Sequence, residues 1–146
     1  MLYFAYGSNL DTQQMSTRCP GACPVARAAL LHHVMTFGGF SPRWGGAVAN
    51  VVRRPDGVVA GLLYALSVEH VEALDRFEGH PHAYQRERKL VVDETGKRHC
   101  AVLYRQPARG FRPCPPPQRY LRVIDTAYRR LGFDVEALAL AAGRAP

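Results

Sequence analysis

The segment from Tyr3 to Leu10, Tyr-Phe-Ala-Tyr-Gly-Ser-Asn-Leu, constrains the fold of this chain more than any other segment. Its first four residues are apolar or aromatic, as in a buried strand, and Gly7-Ser8-Asn9 favours a tight turn. Gly7 adopts positive φ at no steric cost, and Asn9 tolerates it better than most residues. A turn of this kind directs successive backbone N–H groups into one hollow that binds carboxylate or carbonyl oxygens. We therefore expect a core strand and an oxygen-binding turn that together form part of the functional site.

The length of 146 residues predicts a single domain, 1–146, with a substantial core. No apolar run approaches the roughly 20 residues that a membrane-spanning helix needs. The opening strand begins almost at Met1, with no secretory segment before it. These features predict a cytoplasmic protein without membrane contact, and they leave its oligomeric state open.

The chain contains four cysteines, and their spacing does not indicate a metal or redox site. Three residues separate Cys19 from Cys23, whereas redox and zinc pairs have two. Cys100 and Cys114 are isolated in the sequence. We expect free thiols, with a disulfide between Cys19 and Cys23 left open.

The formal net charge is +7 at pH 7, which is a property of many nucleic-acid-binding proteins. The basic residues are scattered, however, and adjacent arginines occur only at Arg53-Arg54 and Arg129-Arg130. No repeat of aromatic and basic residues indicates base stacking. We therefore favour a compositional bias toward arginine, and a basic nucleic-acid-binding domain is kept as an alternative function.

Hydrophobic periodicity predicts an α+β fold in which helices do not alternate with strands. Strand patterns cover 3–6, 25–36, 47–53, 58–66, 84–92 and 98–105, and the segment 25–36 is either one long strand or a pair of strands. Helical patterns cover 11–18, 67–77, 118–131 and 135–142. Turns are expected at 55–57 and 94–96, and the glycine-rich segment Gly38–Gly46 is expected to form a mobile loop. A curled or closed sheet of about six or seven strands with flanking helices fits this order best.

Glu78 is the carboxylate whose sequence surroundings most favour a raised pKa. It lies at the carboxyl end of a predicted helix, where unpaired backbone carbonyls repel an anion. Asp75 lies three residues earlier on the same face, and Leu74 and Phe77 make the surroundings partly apolar. All three effects raise the pKa of a carboxyl, as a general base or acid near neutral pH requires. An exposed glutamate at a helix end is the alternative interpretation.

Other residues offer weaker chemical signals. His80 and His82, with Glu78 and Asp75, resemble part of a metal site, but no second cluster supplies more ligands, so we predict no metal. Ser8 lacks the Gly-x-Ser-x-Gly context of a nucleophile, and we interpret it as an oxygen-binding residue.

Two further kinds of side chain leave their roles open. A cysteine paired with a distant histidine is possible in any chain with four cysteines and six histidines, so that signal is weak. Tyr84 and Tyr120 are polar-tipped aromatic residues that either line a pocket or pack in the core. Trp44 either covers a ligand or anchors its loop.

Several segments, taken in order, resemble the γ-glutamylcyclotransferases and their AIG2-like relatives. They are Tyr3–Leu10, Leu74–Gly79 followed by Tyr84, and Pro116–Tyr120, and Gly45–Ala49 also fits. Each motif is weakly specific, but their ordered occurrence from residue 3 to about residue 132 is a strong signal.

The resemblance implies a small mixed β-barrel with flanking helices and a reaction within one small-molecule substrate. The α-amine of a γ-glutamyl group attacks its own γ-carbonyl, which gives 5-oxoproline and a free amine or amino acid. In this reading Glu78 is the general base and acid, and no cofactor or metal is needed. Substrate binding falls to Tyr3, Phe4, Ala5, Tyr6, Gly7, Ser8, Asn9, Leu10, Asp75, Tyr84 and Tyr120. A non-catalytic module that binds a small γ-glutamyl or carboxylate ligand is the second alternative, and the identity of the released amine is open.

Overall fold

The computed structural model describes residues 1–143 as a closed five-stranded barrel with helices packed around it. The strand order is β1-β3-β2-β4-β5. The elements are β1 (Leu2–Ala5), a 3₁₀ turn (Ser8–Leu10), α1 (Thr12–Arg18), β2 (Cys23–Ser41), β3 (Gly46–Ala65), α2 (Val68–Glu78), β4 (Gln85–Asp93), β5 (Arg98–Arg105), α3 (Gln118–Leu131) and α4 (Val135–Ala141). The predicted α+β barrel class is confirmed. The predicted count of six or seven strands is wrong, and residues 144–146 of the predicted domain lie outside the described residues.

The strand count differs because β3 continues through the turn expected at 55–57. Leu31 of β2 pairs with Val58 and His33 pairs with Arg53, so four residues of β3 bulge opposite one residue of β2. That one residue, His32, has a φ of 62°, and its Nδ1 lies 2.9 Å from the Pro55 carbonyl oxygen. The turn-forming residues therefore bend one long strand, because both flanks keep the same partner.

The glycine-rich segment Gly38–Gly46 is an ordered hairpin, and the expectation of a mobile loop is wrong. β2 extends to Ser41 and β3 begins at Gly46, and these two residues pair with each other. Gly38 also bridges to Pro113. The hairpin holds the turn 42–45 beside the start of α3, where the Arg119 side chain donates a 3.0 Å hydrogen bond to the Arg43 carbonyl oxygen.

β1 lies between two different partners and makes the barrel a mixed one. It pairs antiparallel with β3, with Tyr3 opposite Tyr64, and parallel with β5, with Tyr3 opposite Val102. The Phe4 ring packs so closely over Gly61 of β3 that no Cβ would fit there. This central position anchors the chain just before it leaves β1 for the 3₁₀ turn.

The predicted bounds of α2 and α3 are close to those observed because both helices have strong end signals. Ser67 caps α2 because its hydroxyl accepts from the His70 N–H, and the His70 ring Nδ1 accepts in turn from the Ser67 N–H. Gly79 ends α2 with a φ of 66°, and Gly132 ends α3 with a φ of 75°. Within residues 1–143, no helix combines the length and hydrophobicity needed to cross a membrane.

Candidate active site

Glu78 is the last residue of α2, and its side chain is only 16% exposed. Its Oε1 accepts a hydrogen bond of 3.3 Å from Asn9 Nδ2 and lies 3.7 Å from Arg18 Nη1. Burial raises the pKa of the Glu78 carboxyl to about 7, against the opposing positive charges of Arg18 and Arg43. The predicted upward shift of the pKa is confirmed, and the alternative of a solvated surface glutamate is not supported.

The sequence predicts that the charge of Asp75 helps to raise the pKa of Glu78, and the structure shows a different role for Asp75. Its carboxylate accepts hydrogen bonds from Arg86 and, at 2.7 Å, from the Tyr104 hydroxyl. The pKa of Glu78 is raised by burial, and the Asp75 charge is not among the causes of the shift. Helical spacing puts Asp75 and Glu78 on neighbouring positions of the same face, but the charge of Asp75 is neutralised by Arg86 of β4. Asp75 lies behind Tyr104, which itself lines the cavity at Glu78.

A small inner cavity of about 40 Å³ joins Glu78 to the turn after β1. Five of its ten lining residues are tyrosines, and three of the others belong to the turn. The lining residues are Tyr3, Tyr6, Gly7, Ser8, Asn9, Ala49, Glu78, Tyr84, Tyr104 and Tyr120. Three residues of the predicted binding segment, Phe4, Ala5 and Leu10, are fully buried in the core and do not line the cavity.

The turn after β1 differs in detail from the turn that its composition suggested. Gly7 has a φ of −108°, so its positive φ is not observed. A Cβ at Gly7 would instead lie 3.3 Å from both the Ala49 Cβ and the Tyr120 hydroxyl, which makes close approach the reason for glycine. The turn uses the N–H groups of Leu10 and Asp11 internally. Its first N–H groups, on Ser8 and Asn9, have no acceptor within the turn, as at the start of any helix.

The Asn9 side chain is the hub of a buried hydrogen-bond network and is fixed in one orientation. Its Nδ2 donates to the Tyr3 hydroxyl at 3.0 Å and to Glu78 at 3.3 Å. Its Oδ1 accepts from Gln14 Nε2 at 2.9 Å and from Arg18 Nη1 at 3.2 Å. Because all the bonding positions of the amide are occupied, Asn9 positions the Glu78 carboxyl.

Arg18 and Gln14 are parts of the site that sequence reasoning missed. Arg18 is 6% exposed, and its guanidinium lies 4.9 Å from the centre of the Phe77 ring as well as beside Glu78. Gln14 Nε2 also donates to the Ser8 hydroxyl at 2.8 Å. The available signal was their spacing of four residues in α1, which places both on the helix face toward the turn.

Tyr84, just before β4, and Tyr120 of α3 both line the cavity and share Ala49 as an anchor. The Tyr120 hydroxyl accepts from the Ala49 N–H at 3.0 Å, and the Tyr84 hydroxyl donates to the Ala49 carbonyl at 2.5 Å. Both residues therefore line the cavity, and their contact with substrate stays a prediction. Burial raises the pKa of both phenols, so both hydroxyls carry their proton at neutral pH.

A second, larger cavity of about 540 Å³ opens outward from the first. The two share Ser8, Glu78, Tyr84 and Tyr120, so they form one continuous cleft. Trp44 lies in its wall and packs edge-on against Tyr120, with ring centres 5.0 Å apart. The indole is therefore both an anchor of the hairpin turn and a surface of the cleft.

The cysteines and histidines considered from the sequence lie outside this cleft. All four cysteines are free thiols, and only Cys19 is buried. The Cys19 thiol contacts the His70 backbone carbonyl at 3.5 Å rather than a histidine ring. His80 Nδ1 accepts from the Arg86 backbone N–H at 3.1 Å, which connects the end of α2 to β4.

The fold and the cleft define a class of α+β protein, a closed barrel whose cavity joins a buried carboxyl to the turn after the first strand. The sequence model of one family, described as γ-glutamyl cyclotransferase, AIG2-like, matches residues 3–126. The chain belongs to this family.

Individual relatives agree with the family match. The γ-glutamylcyclotransferase of Mus musculus is 30% identical over 140 residues, which cover 92% of this chain and 73% of the mouse protein. A solved γ-glutamyl cyclotransferase structure is 26% identical with a TM-score of 0.89, and covers 100% of this chain and 88% of its own. An uncharacterized protein from Homo sapiens is 27% identical with a TM-score of 0.88, covering 99% and 88%.

Proposed function

We propose that this chain is a γ-glutamylcyclotransferase that converts a small γ-glutamyl substrate to 5-oxoproline and a free amine or amino acid. One observation carries the proposal: a buried carboxyl with a pKa of about 7 lies in the cavity formed with the Ser8–Asn9 turn. Membership of the family and the names of its relatives support the same activity.

Glu78 moves the proton in the proposed reaction. The substrate α-amine is mostly protonated at neutral pH, so the Glu78 carboxylate first takes one proton from it. The amine nitrogen then forms a bond to the γ-carbonyl carbon, and the C–N bond to the leaving amine breaks. Glu78 returns this proton to the leaving nitrogen as the bond breaks. The attacking nitrogen loses a second proton as it becomes the single N–H of 5-oxoproline, and Glu78 passes that proton to the released amine, so that it ends as the carboxylate with which it began. Transfers of this kind typically contribute about 10²–10⁴-fold to the rate.

The raised pKa suits both halves of this cycle. With a pKa of about 7, Glu78 is present at neutral pH in comparable amounts of its charged and neutral forms. Burial drives the pKa upward, and the charge of Arg18 at 3.7 Å limits the rise. The balance keeps the carboxyl basic enough to accept a proton and acidic enough to return it.

The turn after β1 would hold substrate oxygens and stabilise the charge that develops on the γ-carbonyl oxygen. The N–H groups of Ser8 and Asn9 begin the 3₁₀ turn, where a helix has donors to spare. The nucleophile belongs to the substrate, so the Ser8 hydroxyl needs no covalent role. The tyrosine walls would keep water away from the reacting atoms and hold the glutamyl chain curled for attack.

We place the reaction in the cytoplasm. Cys23, Cys100 and Cys114 are exposed free thiols, and a reducing compartment keeps such thiols free.

The test is a panel assay in which purified protein is given γ-glutamyl dipeptides and γ-glutamyl amines, with 5-oxoproline detected by mass. Release of 5-oxoproline from at least one substrate is expected. A rise in melting temperature with these ligands but no product would contradict the proposal and indicate the non-catalytic binding module instead.

A further inference from the structure

The outer cavity has a marked excess of positive charge. Arg18, Arg43 and Arg76 all line it, and among its described lining residues Glu78 is the only carboxylate. Arg43 and Arg76 are exposed, and no carboxylate of residues 1–143 lies within salt-bridge distance of either guanidinium. A cleft lined by one sign of charge attracts ligands of the opposite sign.

Arg43 is held over the cleft by contacts from two directions. Its guanidinium lies 5.7 Å from the centre of the Phe77 ring, and its carbonyl oxygen accepts the 3.0 Å bond from Arg119. The Arg119 guanidinium in turn lies 4.8 Å from the Trp44 ring. The bond from Arg119 holds the backbone at Arg43, and the contact with Phe77 restricts the side chain, which therefore loses less freedom on binding a ligand than a side chain without such a contact would.

The position of Glu78 decides which part of a substrate meets this charge. If Glu78 returns a proton to the leaving nitrogen, that nitrogen lies at the junction of the two cavities. The inner cavity has only about 40 Å³, whereas the outer one has about 540 Å³. The group attached to the leaving nitrogen must therefore extend into the outer cavity, where Arg43 and Arg76 lie.

We propose that the outer cavity selects the leaving group by its negative charge and that Arg43 is the specificity-determining residue. This inference rests on the proposed function. Leaving groups with two carboxylates react best, those with one react less well, and neutral or cationic amines are the poorest substrates. Arg76 supplies the second positive charge.

Arg18 is excluded as the residue that selects the leaving group, because its guanidinium is already engaged with other side chains of the site. It is buried, donates to Asn9 at 3.2 Å and lies beside Glu78. Arg43 also acts on Glu78 through its charge, but that effect is the same for every substrate. A ratio between substrates therefore isolates its contact with the leaving group.

The test uses three substrates of nearly equal shape: γ-glutamyl-glutamate, γ-glutamyl-glutamine and γ-glutamyl-glutaminamide. Their leaving groups carry two, one and no carboxylates. Each lost carboxylate is expected to lower kcat/KM about tenfold, mainly through KM, as for a charge-assisted hydrogen bond. In the variant R43Q, at least one of these two decreases in kcat/KM should shrink to about threefold or less. The variant R122Q removes the same charge from an exposed position on α3 outside the cleft and should leave both steps unchanged.

Three outcomes would overturn the inference: equal kcat/KM for the three substrates, steps that R43Q leaves intact, or equal effects of R43Q and R122Q. Melting temperatures of both variants confirm that the fold is kept. Failure of the proposed function looks different, because no substrate then releases 5-oxoproline. In that case the dissociation constants of the three ligands for wild type and R43Q test, without turnover, whether binding strengthens with the number of carboxylates on the leaving group.

Discussion

The burial that raises the pKa of Glu78 also makes its ionised carboxylate unfavourable to the folded state at neutral pH. The folded protein binds a proton at Glu78 more tightly than the unfolded chain, with a pKa of about 7 against 4.5. Stability from this group is therefore greatest below pH 4.5 and falls as the pH rises toward 7. Residues that act in catalysis often lower stability in this way.

The variant E78Q should lack this pH dependence, because glutamine mimics the neutral acid. Between pH 4.5 and pH 8 the wild type should lose about 3 kcal/mol of unfolding free energy relative to E78Q. Urea unfolding at both pH values measures the difference. E72Q, which removes an exposed carboxyl from the same helix, is the control and should track the wild type. Parallel pH curves for wild type and E78Q would show that the Glu78 carboxyl is not buried.

At the scale of elements, α2 delivers Glu78 to the cavity and Gly79 fixes where α2 ends. Gly79 has a φ of 66°, and a Cβ there would lie 2.9 Å from the Ala83 Cβ. Gly132 ends α3 with a similar φ of 75°, but a Cβ there would meet nothing within 4 Å. Alanine at Gly132 would therefore cost only backbone strain, whereas alanine at Gly79 would add a steric contact.

The variants G79A and G132A should therefore differ. Both should lose about 1 kcal/mol of stability from the left-handed conformation. G79A should lose more, since Ala83 must move, and its kcat/KM should fall because the end of α2 carries Glu78. Denaturant unfolding and 5-oxoproline assays on both variants provide the measurements. Full activity in G79A would show that the end of α2 does not position the carboxyl.

The elements that sequence predicted well are those with local end signals. The Ser67 cap and the glycines at 79 and 132 act on their nearest residues, so α2 and α3 were placed within a residue or two of their observed bounds. The continuity of β3 depends on pairing with β2 across the whole barrel, and local turn chemistry at 55–57 could not reveal it. The hairpin at Gly38–Gly46 was missed for the same reason.

The candidate site was predictable in part. Glu78 could be found because its helix position and apolar neighbours are local features. The partners of Asp75 could not, because Arg86 and Tyr104 lie on other elements. Arg18 was missed because a buried arginine is recognised only through the Asn9 and Glu78 side chains that surround it.

At the scale of the whole molecule, the site exists only when distant segments meet. Asn9 bonds to Glu78 across 69 residues of sequence, and Tyr120 bonds to Ala49 across 71. The closed barrel brings these four residues together from the 3₁₀ turn after β1, β3, α2 and α3. Part of the net charge of +7 is concentrated at the site, because three of the arginines line the outer cavity.

The most direct test of the central claim is 5-oxoproline release by wild type, E78Q and E72Q on the best substrate of the panel. E78Q should keep its fold and its affinity for the substrate, with turnover reduced by at least about 10²-fold, while E72Q should match the wild type. Circular dichroism and ligand titration confirm the first two properties. Wild-type turnover in a folded E78Q would contradict the account and assign the proton transfer to another group.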